Sequence, residues 1–330
     1  MAGSNVVTIK RILSKYAIFF VLLVMGIALS ALSPSFLTPH NLINVFITAA
    51  GPGMLALGEG LVIISRGIDI SVGSIVSLTS VVSACLIQDP SYSARIFPNL
   101  PQLPVIVPVL AGMTTGVLVG CFNGFFIAYT AIPPMIATLG TMVIARGLAL
   151  LITNAFPVPM LRHEFKILGQ GNIGPIPIMV IVFICLAIVT WVILNHTKFG
   201  KNIYFIGGNV NAARVSGVKV EKNIIIVYAF CGFCASLAGI LMTARAASGI
   251  ATLGLNYEMD AIAAATIGGT SQLGGVGTAG GMVVGVLILG VLNNGLLLLG
   301  VSPYLQQIIK GLIIIGSVVI DMRKNVRGRK

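Results

Sequence analysis

Apolar runs of about twenty residues follow one another along the chain, separated by charged, proline-rich or glycine-rich breaks, and this pattern leaves little choice of fold. A hydrocarbon core about 30 Å thick takes about 20 apolar residues of helix to cross. The runs fall near 16 to 33, 42 to 64, 70 to 88, 104 to 127, 134 to 153, 176 to 194, 223 to 243, 259 to 272, 277 to 299 and 304 to 321. They predict an all-α integral membrane protein, a polytopic bundle of about ten transmembrane helices with Gly-rich interrupted segments. The eighth run is too short and too rich in glycine for a plain spanning helix. Composition agrees, with 57% hydrophobic and only 8% charged residues, where soluble domains carry about 25% charge. The net charge of +12 does not point to nucleic acid, because the basic residues lie between apolar spans rather than on a soluble domain. The first run, Tyr16 to Leu32, has spanning length and no A-x-A site after it, so it reads as a membrane helix rather than a signal peptide.

Lys and Arg are retained on the cytoplasmic side of a membrane protein. Here they collect at Lys10, Arg11 and Lys15, at Lys198, Lys201, Arg214, Lys219 and Lys222, and at Arg323, Lys324, Arg327, Arg329 and Lys330. Ten spans put all three clusters on one side, which predicts cytoplasmic termini and a cytoplasmic 195 to 222 loop. The chain then reads as a single transmembrane domain over 1–330, with an N-tail at 1–15 and a basic C-tail at 322–330. The loops at 89 to 103 and 154 to 175 fall outside; they are docking surfaces or lids, too short to bury a core of their own.

No catalytic constellation stands out. His40, His163 and His196 are scattered without metal-ligand spacing. Cys231 and Cys234 form a CxxC without a second ligand pair, and all five cysteines lie in or beside apolar segments, as packing residues do. Gly200-Lys201 lacks the glycine loop of a Walker A sequence, so any ATP must be bound by another chain.

The 195 to 222 loop contains Asn209 as an N-cap, helix-favouring Ala212 and Ala213, and Gly217 as a stop, which predicts a short surface helix over about 210 to 216. Such a helix serves as a handle for a partner; the alternative is a basic loop resting on anionic lipid. Two glycine-rich interruptions, Ser65 to Gly73 and Ile267 to Gly277, fall between spans on the predicted inner side. Irregular backbone is tolerated at membrane depth only where protein or a water-filled cavity covers it. Pairing Gly67 with Gly269 and Gly73 with Gly275 hints at an internal duplication. Polar residues within spans are Glu59, Asn123, Thr138, Thr141, Arg146, Asn293, Asn294 and Lys310. The charges must face protein or water, either pairing with one another or lining a pathway. The asparagine amides suit a neutral hydroxylated solute and equally suit helix bridging.

Four motifs in order, Gly67-Ile68-Asp69-Ile70-Ser71-Val72-Gly73, Asn123-Gly124 to Ala137-Thr138-Leu139-Gly140-Thr141, Gly207-Gly208-Asn209 to Ser216-Gly217-Val218, and Gly268-Gly269-Thr270-Ser271 to Gly277-Thr278, resemble the ribose/galactose/xylose-type permeases of bacterial ABC importers. The resemblance runs from about 36 to 321. It is nearest the galactose/methyl-galactoside branch in Lys198-Phe199-Gly200-Lys201-Asn202-Ile203, Tyr257-Glu258-Met259-Asp260 and Pro303-Tyr304. It departs from the family at Pro134-Met135-Ile136, where Pro-Phe-Ile is frequent.

This resemblance implies a non-catalytic permease subunit of the bacterial inner membrane that carries a monosaccharide from a periplasmic binding protein to the cytoplasm. It implies a second permease copy, a cytoplasmic ATP-binding subunit that uses ATP and Mg, and no cofactor on this chain. Membrane lipid is the remaining partner. The coupling contact to the ATPase is expected at Gly207, Gly208, Asn209, Ala212, Ala213, Arg214, Ser216 and Gly217, and the translocation path at Asp69, Asn123, Thr138, Asn293 and Asn294. The competing readings are an ion-coupled secondary transporter, using Glu59, Asp69 or Lys310, and a membrane scaffold that carries no solute.

Overall fold

The computed structural model describes residues 18–327. The helices are α1 (Ile18–Leu32), α2 (Pro39–Ile64), α3 (Val72–Ile87), α4 (Ile106–Thr130), α5 (Pro134–Thr153), α6 (His163–Gln170), α7 (Ile178–His196), α8 (Lys198–Gly208), α9 (Val210–Val215), α10 (Val220–Ala246), α11 (Tyr257–Ile267), α12 (Ala279–Leu298) and α13 (Pro303–Arg327). A two-residue antiparallel hairpin, β1 (Asn172–Ile173) with β2 (Ile176–Pro177), precedes α7.

Among the described residues six helices, α2, α4, α5, α7, α10 and α12, are long and apolar enough to cross a membrane, and α1, α3 and part of α13 are shorter apolar helices. The expected eighth span at 259 to 272 is the 11-residue α11 followed by turns. At 1.5 Å per residue it reaches about half-way through a bilayer. The basic N-tail and the residues after Arg327 lie outside the described residues.

The bundle is built around α2 and α3. Helix α2 starts at Thr38, whose side chain accepts from the Asn41 N–H, with Pro39 at the first helical position. Its second half is buried among α7, α10, α11 and α12. Helix α3 is buried along nearly its whole length, which its small serines and threonines permit. Thr79 and Ser83 bond back to their own helix, the Thr243 hydroxyl donates to Ser80 at 2.6 Å, and the Ser77 hydroxyl donates to the Ala251 carbonyl.

Helices α4 and α10 pack along glycines four residues apart. Gly112, Gly116, Gly120 and Gly124 are all buried on one stripe of α4 and lie against Ile240, Gly232 with Ser236, Tyr228 and Ile225 of α10. With no Cβ on that stripe the backbones meet directly.

The segments between helices gather at two ends of the bundle. At one end the Gly275 N–H donates to the Ile64 carbonyl at 2.8 Å, and Tyr204 of α8 donates to the Gly277 carbonyl at 2.7 Å. Asp321 of α13 accepts from the Ser271 hydroxyl and the Gln272 N–H, and Ile18 lies beside Gly269. Both glycine-rich interruptions, the 195 to 222 loop and the described chain ends thus share one end. At the other, Asp89 N–H donates to Met160, residues 158 and 249 form an antiparallel bridge, and Arg162 holds the Leu103 carbonyl at 2.6 Å. The two expected outer loops are therefore pinned to each other, and the second contains α6 and leads into the hairpin.

The α4 stripe makes a prediction. Gly120→Ala puts a Cβ into the Tyr228 backbone and should lower detergent-solubilised stability by about 1 to 3 kcal/mol. Gly147→Ala, with nothing within 4 Å, should hold or slightly raise it. Thermal midpoints in one detergent compare the two; equal losses would remove the packing role.

Candidate functional site

Helix α2 ends at Ile64 in a cap whose left-handed residue is Arg66, φ 70°, with Gly67 N–H bonded to Val62 and Arg66 N–H to Ile63. Helix α11 ends the same way, with Gly269 at φ 87°, Thr270 N–H bonded to Ala265 and Gly269 N–H to Thr266. The caps therefore align Arg66, not Gly67, with Gly269. Gly67 is needed for a different reason: a Cβ there would meet the Tyr228 hydroxyl and Val62.

The backbone after this cap is held by buried side chains. The Asp69 N–H donates to Glu59 Oε1 at 3.0 Å. Asp69 Oδ1 accepts from the Ser71 N–H at 2.9 Å, the Ser71 hydroxyl at 2.5 Å and Asn123 Nδ2 at 3.4 Å. Asn123 Nδ2 also donates to Ser71 Oγ at 2.8 Å, the Tyr228 hydroxyl points to the Ile68 carbonyl at 3.4 Å, and Thr138, bonded to the Pro134 carbonyl of its own helix at 2.9 Å, lies 3.4 Å from the same Ile68 oxygen. Helices α2, α4, α5 and α10 thus converge on five residues of irregular chain. Asp69, Asn123 and Thr138, expected on the path, come together here and are buried. Asn123 Oδ1 and Asp69 Oδ2 keep no protein partner. Asn123 borders a cavity of about 220 Å³ between α4 and α5, walled by Phe122, Phe126, Ile136 and Thr141. Cys231 and Cys234 are free and buried, with Cys231 Sγ 3.9 Å from Glu59 Oε2.

Asn293 and Asn294 lie elsewhere and differ from each other. Asn294 exchanges two amide hydrogen bonds with Asn41, both 2.9 Å, and ties α12 to α2. Asn293 Oδ1 has no protein partner and borders a cleft of about 30 Å³ with Thr48, Pro52 and Asp260. Of the two alternatives for Glu59, Arg146 and Lys310, mutual pairing does not occur. Lys310 pairs with Asp260 at 3.1 Å, and Arg146 donates to the Ala251 and Leu253 carbonyls at 3.1 and 3.3 Å. Each charge meets a nearby partner in another segment, which costs less than joining three distant ones.

The short helix in the 195 to 222 loop is α9. Asn209 caps it by accepting from the Ala212 N–H at 3.0 Å. Gly217, φ 80°, closes it, with Val218 N–H bonded to Ala213 and Gly217 N–H to Arg214. Arg214 pairs with Glu221 at 2.6 Å. Ala213 packs inward with Ile206 and Val220, and Gly207 sits against the Ile64 carbonyl and Gly275 N. Gly208 has open space beside its Cα. Val215, which the sequence motif does not single out, is 90% exposed at the tip. An apolar residue at the last position of a short capped helix is the available signal. The preceding helix α8 starts at Thr197, which accepts from the Gly200 N–H, and the sequence reading lacks it.

The family of branched-chain amino acid transport system permease components matches residues 41–318. The chain belongs to this family. The permease is 39% identical to the galactose/methyl galactoside import permease protein MglC of Haemophilus influenzae over 95% of both chains. It is 40% identical to the ribose import permease protein RbsC of Escherichia coli K12 over 92% of both, and 37% identical to the D-allose transport system permease protein AlsC of the same strain over 93% of this chain and 91% of that one. These relatives are the sugar permeases of ABC importers that the ordered motifs resemble, and a permease component is a membrane subunit rather than an enzyme. No solved structure matches the chain.

Glu59 supplies a test of the framework. Glu59→Leu strands the buried Asp69 N–H and should cost about 1 to 3 kcal/mol. Glu59→Gln keeps an acceptor and should cost less. Hydrogen exchange at residues 66–72 should rise more in the Leu variant than in the Gln variant; equal exchange would mean that the bond does not hold the segment.

Proposed function

We propose that the permease carries a monosaccharide, galactose, methyl galactoside or a related sugar, across the bacterial inner membrane as part of an ATP-driven importer. A periplasmic sugar-binding protein delivers the solute, and a cytoplasmic ATP-binding subunit using ATP and Mg drives the cycle. A second copy of this chain completes the pathway, with membrane lipid around the pair. The chain itself holds no cofactor in this reading, and its termini and the 195 to 222 loop are cytoplasmic.

The observation that carries the coupling role is α9, a helix capped at both ends that directly follows Gly207 and Gly208 of α8, where the two glycine-rich interruptions meet. Force applied there reaches α2 through Gly207 and Ile64, and α12 through Tyr204 and Gly277. The contact to the ATPase is proposed at Val215 with Ala212, Arg214 and Ser216. Gly207, Gly208, Asn209, Ala213 and Gly217 shape and seat the helix. On the path, Asn123 and Asn293 each keep an acceptor for a solute hydroxyl. Asp69, Thr138 and Asn294 brace the walls.

Val215→Glu is expected to stop both ATPase co-purification in mild detergent and sugar uptake, with membrane insertion unchanged. Retained ATPase at matched expression would exclude α9 from the contact. For orientation, Arg214→Cys and Asn99→Cys in a background lacking the native cysteines are exposed to an impermeant thiol reagent outside whole cells. Position 99 should react and position 214 should not; the reverse pattern would invert the topology.

A further inference from the structure

The ion pair between Asp260 of α11 and Lys310 of α13 is not sealed inside the bundle. Lys310 Nζ lies 3.1 and 3.3 Å from the two carboxylate oxygens, and the side chains retain 26% and 18% of their accessible surface. Lys310 is seven residues into α13 and so about 10 Å along its axis. Charges at such depth face other protein or water rather than lipid. The pair neutralises itself, which leaves a polar surface of no net charge.

Asp260 borders a small cavity, which shares Thr48 with a larger one. The smaller, about 30 Å³, is walled by Thr48, Pro52, Asp260 and Asn293. It has room for one water or hydroxyl group. Asn293 Oδ1 is buried there without a protein partner. The Thr48 hydroxyl donates to the Asn44 carbonyl at 2.7 Å, so its lone pairs remain available as acceptors. Thr48 also lines the larger cavity, about 350 Å³, together with Met179, Arg245, Leu253 and Tyr257. That volume lies in the range of small-molecule sites, and its largely apolar wall with a few polar groups is typical of them. Both cavities lie toward the end of the bundle away from α9, since Thr48, Asn293 and Asp260 are nearer the ends of their helices that join the segments there.

We infer that the two cavities form one binding site for a neutral polyhydroxylated solute. The ring occupies the larger chamber, and one hydroxyl enters the smaller, where it donates to Asp260 or Asn293. Lys310 is a positioning residue: it holds the Asp260 carboxylate as an acceptor and offsets its charge. The assignment of a sugar as that solute rests on the proposed import function, whereas the site itself stands without it.

The experiment uses the permease with its ATP-binding subunit and binding protein in native membranes, in a background lacking the native cysteines. Thr48→Cys and Asn293→Cys are treated with a small cationic methanethiosulfonate reagent, with Ile188→Cys on the exposed face of α7 as control. The two site positions should react and Ile188→Cys should not. D-galactose or D-ribose, whichever the complex takes up, should slow the reaction at both. The double variant D260N/K310M separates a solute site from a helix brace, since it removes both charges without leaving either unpaired. It should insert and bind the ATP-binding subunit normally while raising the KM for uptake about tenfold or more, the loss expected of a hydrogen bond to a charged group. Unreactive cysteines at 48 and 293 in every nucleotide state, in a complex that imports sugar, would overturn the site. An unchanged KM in the double variant would overturn the role of the pair. Reactive cysteines in a complex that imports neither sugar would leave a water-lined cavity and overturn the import reading alone.

Discussion

The hydrogen bond from the Asp69 N–H to Glu59 fixes where α3 can begin. Backbone that leaves a helix at membrane depth has no water to satisfy it, so each freed group needs a protein partner. Glu59 supplies one from within α2, Asp69 folds back on Ser71, and Asn123 reaches both from α4. Two buried carboxylates are costly residues to use for this purpose. They give in return a turn tied to three helices, from which α3 runs into the centre of the bundle with hardly a side chain exposed. The α4 glycines then let α10 close against the same region.

Much of this architecture was legible in the sequence because a membrane span is a signal of length as well as pattern. The helix α5 is found over Pro134–Thr153, matching the run at 134 to 153, and α9 lies where Asn209 and Gly217 put its caps. About ten spans were expected; among the described residues six helices satisfy length and composition, while α1, α3, α11 and the apolar part of α13 are shorter. Helices α6 and α8 are strongly amphipathic but only 8 and 11 residues long, so a search for apolar runs of spanning length passes over them. Nor does spacing reveal that an arginine, rather than the adjacent glycine, takes the left-handed position after α2.

The site was legible in its residue types and obscure in its partners. Asp69, Asn123 and Thr138 are far apart in sequence and meet at one turn, which ordered motifs suggest without fixing any bond. Asn293 and Asn294 are indistinguishable as a sequence pair. The helix turns them about 100° apart, so one spends its amide on Asn41 and the other faces a cleft. Similarly, a lysine and an aspartate separated by fifty residues give no sign that they pair.

The seat of Gly207 also limits how this part of the chain can vary in length. Gly207 lies near the end of α8, against the Ile64 carbonyl and the Gly275 nitrogen, with no space for a side chain. Adding one residue to α8 would turn every later position by about 100° and carry it 1.5 Å along the axis. The glycine would leave its seat, and a bulkier neighbour would meet that backbone. The distance from Thr197 to Asn209 is therefore a fixed ruler, whereas the solvent-facing turn of the β1–β2 hairpin, with open space around Gly174, can accept insertions.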